Sequence, residues 1–368
     1  MIILEEFLHN LGLPLFYLKL VGAMLLSMIL SYRAIPTILR ISKRKNLMDE
    51  PGIRSSHVRK VPNLGGIAIF YAIGITAPIF AYELFDMYKF LFPTLIILLY
   101  VGVMDDIVVM RAYKKLLAQI VVATLIVIGS DVRIRSLFGL FNIYELPYWV
   151  SIIFSIVTII IMINSFNLID GIDGLAGFYS IFCSIIFGVS YYRLGEYNYP
   201  MIILCSIITG SLIGFLYYNL SDRSKKIFMG DTGSMIMGFL LAFTAIYFID
   251  IFMYKGELNA PRYHLDATPV IAFSILILPM VDTLNVIIIR LMNKKSPMEA
   301  DKNHIHHKLL DLGLSHKRAT FYIICYYLFV VSVTYFLRHT NINLLLFIVL
   351  ALGFLGAYIP RIIIKMKN

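Results

Sequence analysis

Charged side chains are scarce in this chain of 368 residues: 15% are Asp, Glu, Lys or Arg, against roughly 25% in soluble proteins, and 60% are hydrophobic. So little charge cannot cover a water-soluble surface, which excludes an ordinary soluble protein. Cysteine is nearly absent. Cys183, Cys205 and Cys325 all fall in apolar stretches without metal-ligand spacing, so a disulfide framework and a thiolate metal cage are excluded and buried thiols are expected. There is no internal repeat, no low-complexity tract and no long polar segment; the largest polar excursions are 254–267 and 293–319. One polytopic membrane domain over residues 1–368 is the simplest organisation, with its chemistry on cytoplasmic loops. Glu5 and Glu6 precede the first apolar stretch, with no basic segment or small-residue cleavage site, so that stretch is expected to stay in the mature protein.

What the chain has in quantity is apolar runs. A bilayer core needs about 20 apolar residues per helix, and about eleven segments qualify: Leu15–Leu39, Leu64–Leu84, Phe90–Met104, Leu116–Ser130, Tyr148–Ile169, Leu175–Tyr192, Met201–Tyr218, Met235–Met253, Pro269–Met292, Phe321–Leu337 and Leu344–Ile359. The third and fourth are short. The expected fold is therefore an all-α integral membrane protein. Cytoplasmic loops carry the excess of Lys and Arg, and with the N-terminus outside roughly 23 of the 32 basic residues fall on the cytoplasmic side. The expected topology is N-terminus outside and C-terminus cytoplasmic. This distribution also accounts for the formal charge of +10, which crowds one membrane surface where it favours anionic lipid and phosphate, not nucleic acid.

Five polar clusters interrupt the apolar runs: Asp105-Asp106, the segment Asn164 to Asp173, Gly230-Asp231-Thr232-Gly233-Ser234, Asp282, and His304-Ile305-His306-His307. Ionisable groups at membrane depth are costly and are retained with a partner or a task. The topology puts all five on one membrane face, although it was derived from basic residues and apolar lengths alone. Adjacent carboxylates repel unless a cation or proton compensates, so Asp105-Asp106 suits a divalent metal or a general base, or else helix-end solvation; Lys114, Lys115 and Gln119 follow it. Asn164, Asn167, Asp170 and Asp173 offer hard oxygen ligands among glycines that allow close approach. Asp231 opens a helix, where it could act as an N-cap or take part in a phosphate site. Asp282 is flanked by apolar residues and could equally be paired for structure. The three histidines stand beside Asp301 and Lys302 and suit pyrophosphate better than zinc, which wants well-placed ligands and an open position. The loop from Asp49 to Gly66 combines Arg54, His57, Arg59 and Lys60 with closely spaced Pro and Gly, more than a generic basic loop needs.

Taken in order, Asp49-x-Pro51-x-x-Arg54, Asp105-Asp106, Asn164-x-x-Asn167-x-x-Asp170-Gly-x-Asp173-Gly, Gly230-Asp231-x-Gly-Ser and His304-Ile-His306-His307 resemble the polyprenyl-phosphate N-acetylhexosamine-1-phosphate transferases over nearly the whole chain. The His-Ile-His-His form with Asp282-Thr283 upstream looks like the WecA/TagO branch, related more distantly to MraY. The resemblance implies transfer of N-acetylglucosamine 1-phosphate, or a related sugar phosphate, from a UDP-N-acetylhexosamine to undecaprenyl phosphate. UMP would be released, and the lipid-pyrophosphate sugar would start a cell-envelope glycan at the bacterial cytoplasmic membrane. It implies Mg²⁺, with Mn²⁺ as a substitute, held by Asp231 with Asn167 and Asp106. Asp105 would orient or deprotonate the lipid phosphate, with Asp106, Asp170 and Lys115 in the catalytic core. Asn164, Asp173, His304, His306, His307, Arg59 and Lys60 would contact substrate. Membrane lipid is an implied partner, and a homodimer is implied by analogy only.

Elementary chemistry fits this reaction. An anionic phosphate must attack an anionic pyrophosphate, so cations must neutralise repulsion and the charge on the leaving group. A phosphate monoester is largely dianionic at neutral pH, so direct attack is favoured over a covalent Asp105 intermediate. Another UDP-N-acetylhexosamine donor is the alternative within the class. A cation-coupled transporter is the alternative outside it, but would place ionisable residues near the midplane.

Overall fold

The computed structural model describes residues 15–48, 60–221, 225–253, 265, 267–294 and 303–367. The chain forms α1 (Leu15–Arg44), α2 (Gly65–Phe80), α3 (Glu83–Met87), α4 (Leu91–Ile107) and α5 (Ala112–Thr124), which runs on through a π-helical turn to Gly129. A hairpin of β1 (Ser136–Leu140) and β2 (Ile143–Glu145) follows, then α6 (Tyr148–Ile169), α7 (Leu175–Arg193), α8 (Tyr199–Asn219) and α9 (Gly230–Ile251). The last elements are α10 (Thr268–Ile275), α11 (Ile277–Met292), α12 (Ile305–Asp311), α13 (His316–Phe336) and α14 (Ile342–Lys367). In lipid every backbone polar group must be satisfied within the protein, and helices do this within each segment.

Among the described residues, eight helices are long and apolar enough to cross a membrane, and nine if the pair α10 and α11, bent by 76° at its break, counts as one broken span. The protein is therefore a multi-pass integral membrane protein. Two of the eleven expected segments, α2 at 16 residues and α4 at 17, are shorter than that measure. The fourth segment begins earlier than expected, at Ala112, which gives it its length. The run Pro269–Met292, expected as one helix, breaks at Leu276.

α9 is the hub. Of its apolar window 94% is buried, against 22% for α1 and for α14, so α9 is packed on all sides by protein and the terminal helices face lipid. It packs on α6, α4, α2 and α7. Its first turn is held especially close: a Cβ on Gly102 of α4 would lie 2.4 Å from Thr232 Cα, so only glycine lets the two helices approach there.

The hairpin is a departure from a wholly helical chain. Its tip residues Phe141 and Asn142 both have positive φ, 53° and 61°, as a two-residue hairpin turn of this hand requires. It lies at the end of the bundle where Arg135 pairs with Asp250, the penultimate residue of α9. Asp231 lies at the other end of that helix, about 28 Å away at 1.5 Å per residue.

Candidate functional site

At the Asp231 end, four elements converge. Asp105 and Asp106 end α4, Lys115 stands on the first turn of α5, Asn167 ends α6, and Asp231 opens α9. Lys115 Nζ lies 2.6 Å from Asp105 Oδ2 and 3.3 Å from Asp231 Oδ1, so one ammonium bridges two carboxylates. Asp105 Oδ1 accepts a 2.6 Å hydrogen bond from the Met110 amide, which fixes the carboxylate across the turn between α4 and α5. The Asn167 Nδ2 group donates to Asp231 Oδ1 and, at 2.7 Å, to Ser234 Oγ. Its carbonyl Oδ1 makes no hydrogen bond to a described residue.

Asp106 is held by hydrogen bonds from the first turn of α9 and from Asn63. Its Oδ1 accepts from the Asp231 amide at 2.7 Å and from Asn63 Nδ2 at 3.3 Å; its Oδ2 accepts from the Thr232 amide at 3.0 Å and the Thr232 hydroxyl at 2.6 Å. A carboxylate offers about four lone-pair sites, and all are taken. Asp106 thus caps α9 from another helix, satisfying amides that a helix N-terminus leaves orphaned. Gly230 completes the turn with φ of 72°, and a Cβ there would fall 1.8 Å from the Asn63 carbonyl.

Asp170 has no hydrogen bond or ion pair to another described residue. Burial, then the charges of Asp231, Asp106 and Asp173, push its carboxyl well above the ordinary carboxylate range. Such a concentration of negative charge calls for a cation. Among the described residues no three His, Cys, Asp or Glu side chains form a ready-made metal cage. Mg²⁺ does not require one, because it binds through one or two carboxylates and completes its shell with water and substrate phosphate. Asp231, Asn167 Oδ1 and the unpaired Asp170 carboxylate are a donor set of that kind.

Asp173 lies just beyond. Burial raises its carboxyl, but His316 and Lys226 outweigh that and hold it below its ordinary value. Lys226 Nζ is 2.6 Å and His316 Nδ1 3.3 Å from Oδ2, while Oδ1 is buried without a partner. Thr320 donates to the Asp173 carbonyl at 2.8 Å, tying this turn to α13.

The histidines form an arm that reaches the same turn. Asp282 on α11 accepts from the Ile305 amide at 2.9 Å and sits 2.7 Å from His304 Nδ1, so it both caps α12 and orients that ring. The rings of His304 and His306 stack at 5.6 Å, and His307 lies 4.3 Å from His306. Burial pushes His306 down to about 3, so this imidazole is neutral at physiological pH. A Cβ on Gly171 would lie 2.3 Å from His306 Nε2, so the glycine after Asp170 exists to let the imidazole in.

The remaining expected residues are placed as follows. Asn164 exchanges hydrogen bonds with Gln119, at 2.7 and 3.2 Å, and donates to the Ile160 carbonyl at 2.8 Å; its amide is engaged in joining α5 to α6. Lys60 is exposed just before Val61, at the entry to α2. Arg59 lies outside the described residues. Asn63, Thr232, Ser234, Lys226 and His316 were not singled out from sequence as site residues. The signal for Thr232 was present in the Gly-Asp-Thr-Gly-Ser run, since a helix start needs acceptors for its free amides.

Comparison with known proteins shows what the chain is similar to. The profile of glycosyl transferase family 4 matches residues 88–249. A probable undecaprenyl-phosphate N-acetylglucosaminyl 1-phosphate transferase of Bacillus subtilis is 31% identical over 309 residues, covering 83% of this chain and 81% of that protein. A decaprenyl-phosphate N-acetylglucosaminephosphotransferase of Mycobacterium leprae is 27% identical over 340 residues, 87% of this chain and 84% of its own length. An undecaprenyl-phosphate alpha-N-acetylglucosaminyl 1-phosphate transferase of Salmonella typhi is 27% identical over 289 residues, with 76% and 73% covered. The chain belongs to glycosyl transferase family 4, the MraY-, WecA- and TagO-like polyprenyl-phosphate N-acetylhexosamine-1-phosphate transferases.

Proposed function

We propose that the chain transfers N-acetylglucosamine 1-phosphate from UDP-N-acetylglucosamine to undecaprenyl phosphate, releasing UMP, at the cytoplasmic face of a bacterial membrane. The observation that carries this reading is Lys115 held between Asp105 and Asp231, beside Asn167 and Asp170. The crowding of basic residues into the loops at this end supports the cytoplasmic assignment.

In the reaction, an oxygen of the lipid phosphate attacks the sugar-bearing phosphorus of the donor. A new P–O bond forms and the bond from that phosphorus to the bridging oxygen of UMP breaks. The attacking monoester is already largely dianionic at neutral pH, so no proton need be removed. Lys115 neutralises charge between the two anions, and Asp105 holds Lys115 in place. Asp231, Asn167 and Asp170 would hold Mg²⁺, which when bound shields the pyrophosphate and stabilises the departing UMP. Asp173 and the arm of His304, His306 and His307 face the donor; His306, being neutral, works by hydrogen bonding.

The test is incubation of purified protein with undecaprenyl phosphate, Mg²⁺ and a panel of UDP-sugars, followed by mass analysis of the lipid. The N-acetylglucosamine product supports the reading. A product from another UDP-N-acetylhexosamine alone corrects the donor, and no lipid product with any donor overturns the reading.

A further inference from the structure

The bent span is held by an unusual set of partners. α10 ends at Ile275, and the residue whose amide would bond the Ile275 carbonyl in a continuous helix is Pro279, which has no N–H; the chain bends by 76° at this point. Two side chains of α7 reach that carbonyl: the Tyr179 hydroxyl donates at 2.9 Å and the Cys183 thiol at 3.3 Å. Cys183 Sγ is also 3.3 Å from the Tyr327 hydroxyl on α13, and the Tyr179 and Tyr327 rings lie 4.7 Å apart. All three side chains are fully buried. An unsatisfied carbonyl in a membrane interior costs several kcal/mol, so these hydroxyl and thiol groups are what make the break tenable. Another side of the break faces an apolar cavity of about 180 Å³, lined by Ala272, Phe273, Leu276, Met280 and Ile246 among others, so close packing does not fix the bend there.

What lies beyond the break is the histidine arm. Asp282 stands six residues past Leu276, about 9 Å along α11, and its carboxylate fixes both His304 and the start of α12. A change of roughly 10° in the bend would move Asp282 by about 1.6 Å on that lever. Misplacements of about 1 Å can cost on the order of 100-fold in rate.

We propose that Tyr179, Cys183 and Tyr327 are positioning residues: they set the angle of α11 and thereby hold His304 and His306 against the Asp170–Gly171 turn. The consequence for turnover rests on the transferase reading above; the consequence for helix placement does not.

The experiment therefore has two readouts. Spin labels are placed on Ile288→Cys of α11 and Val189→Cys of α7, both exposed, in a background of Cys205→Ser and Cys325→Ser that keeps the buried Cys183. Tyr179→Phe, alone and with Tyr327→Phe, removes hydroxyls without changing ring volume. The pulsed-EPR distance should shift by about 3 Å, or its distribution broaden correspondingly, for a label some 18 Å beyond the break. In the same preparations kcat should fall, by up to about 100-fold for a displacement of Asp282 above about 1 Å. An unchanged distance distribution in both variants overturns the inference, whatever happens to kcat. Absent turnover in the unsubstituted protein would count against the transferase reading and leave the distance test standing.

Discussion

Asp106 accepts hydrogen bonds from both the amide and the hydroxyl of Thr232, at 3.0 and 2.6 Å, although 126 positions separate them in the chain. This contact joins the end of α4 to the start of α9 and so fixes where Asp231 stands. This carboxylate thus has a mechanical task, and its neighbour Asp105, paired with Lys115, has an electrostatic one.

The first prediction separates these tasks. Asp106→Asn replaces one acceptor oxygen by a donor facing backbone amides, which should cost about 1–3 kcal/mol of stability. Thermal unfolding should move down and kcat with it, while the Mg²⁺ concentration for half-maximal rate stays within about twofold. A normal unfolding temperature with a tenfold rise in the Mg²⁺ requirement would make Asp106 a metal ligand after all.

Lys115→Met keeps an unbranched side chain one atom shorter and removes its charge. Asp105 and Asp231 then face each other without compensation, and kcat/KM should fall on the order of 10²–10³-fold, the scale of a lost electrostatic contact to the transition state. Steady-state kinetics on the purified variant checks this; a loss below about fivefold would contradict the bridging role.

Gly171→Ala drives a methyl group into His306, at 2.3 Å from Nε2. The variant should lose both activity and thermal stability. Adding His306→Ala should restore part of the stability lost, because the second change removes the obstacle. Strictly additive destabilisation would mean that the close approach is not what the glycine serves.

His306 also predicts a pH dependence. Its folded value of about 3 lies below the roughly 6.5 of an unfolded chain, so between those limits the unfolded state binds the extra proton. The stability contributed by keeping this imidazole neutral is complete above about pH 6.5 and declines as pH falls. Unfolding in detergent at pH 7 and pH 5 should show a larger drop for the parent protein than for His306→Gln. Equal drops would contradict the assignment.

Much of this site was legible because polar residues in an apolar chain mark themselves. Asp105, Asn167, Asp170 and Asp231 sit where helices end, and basic residues fixed which ends belong together. What escaped was the direction of each side chain. No pattern tells that Asp106 spends its lone pairs on the α9 amides, or that Asn164 pairs with Gln119, since both depend on how neighbouring helices rotate. The break at Leu276 did have a local signal in Pro279, which offers no N–H to the Ile275 carbonyl four residues earlier and crowds it, but the apolar length of the run outweighed that signal. The stabilising partners lie on α7 and α13. The hairpin was hidden in a short stretch whose Phe and Ile resemble the spans around it.

The most direct test of the account follows UMP and lipid product together in proteoliposomes with undecaprenyl phosphate, Mg²⁺ and UDP-N-acetylglucosamine, comparing the parent protein with Asp231→Ala. The parent should release one UMP for each sugar-phosphate lipid formed, and Asp231→Ala, inserted in equal amount, should form neither. Parent-like turnover by Asp231→Ala would contradict the claim that the chemistry is centred on that carboxylate.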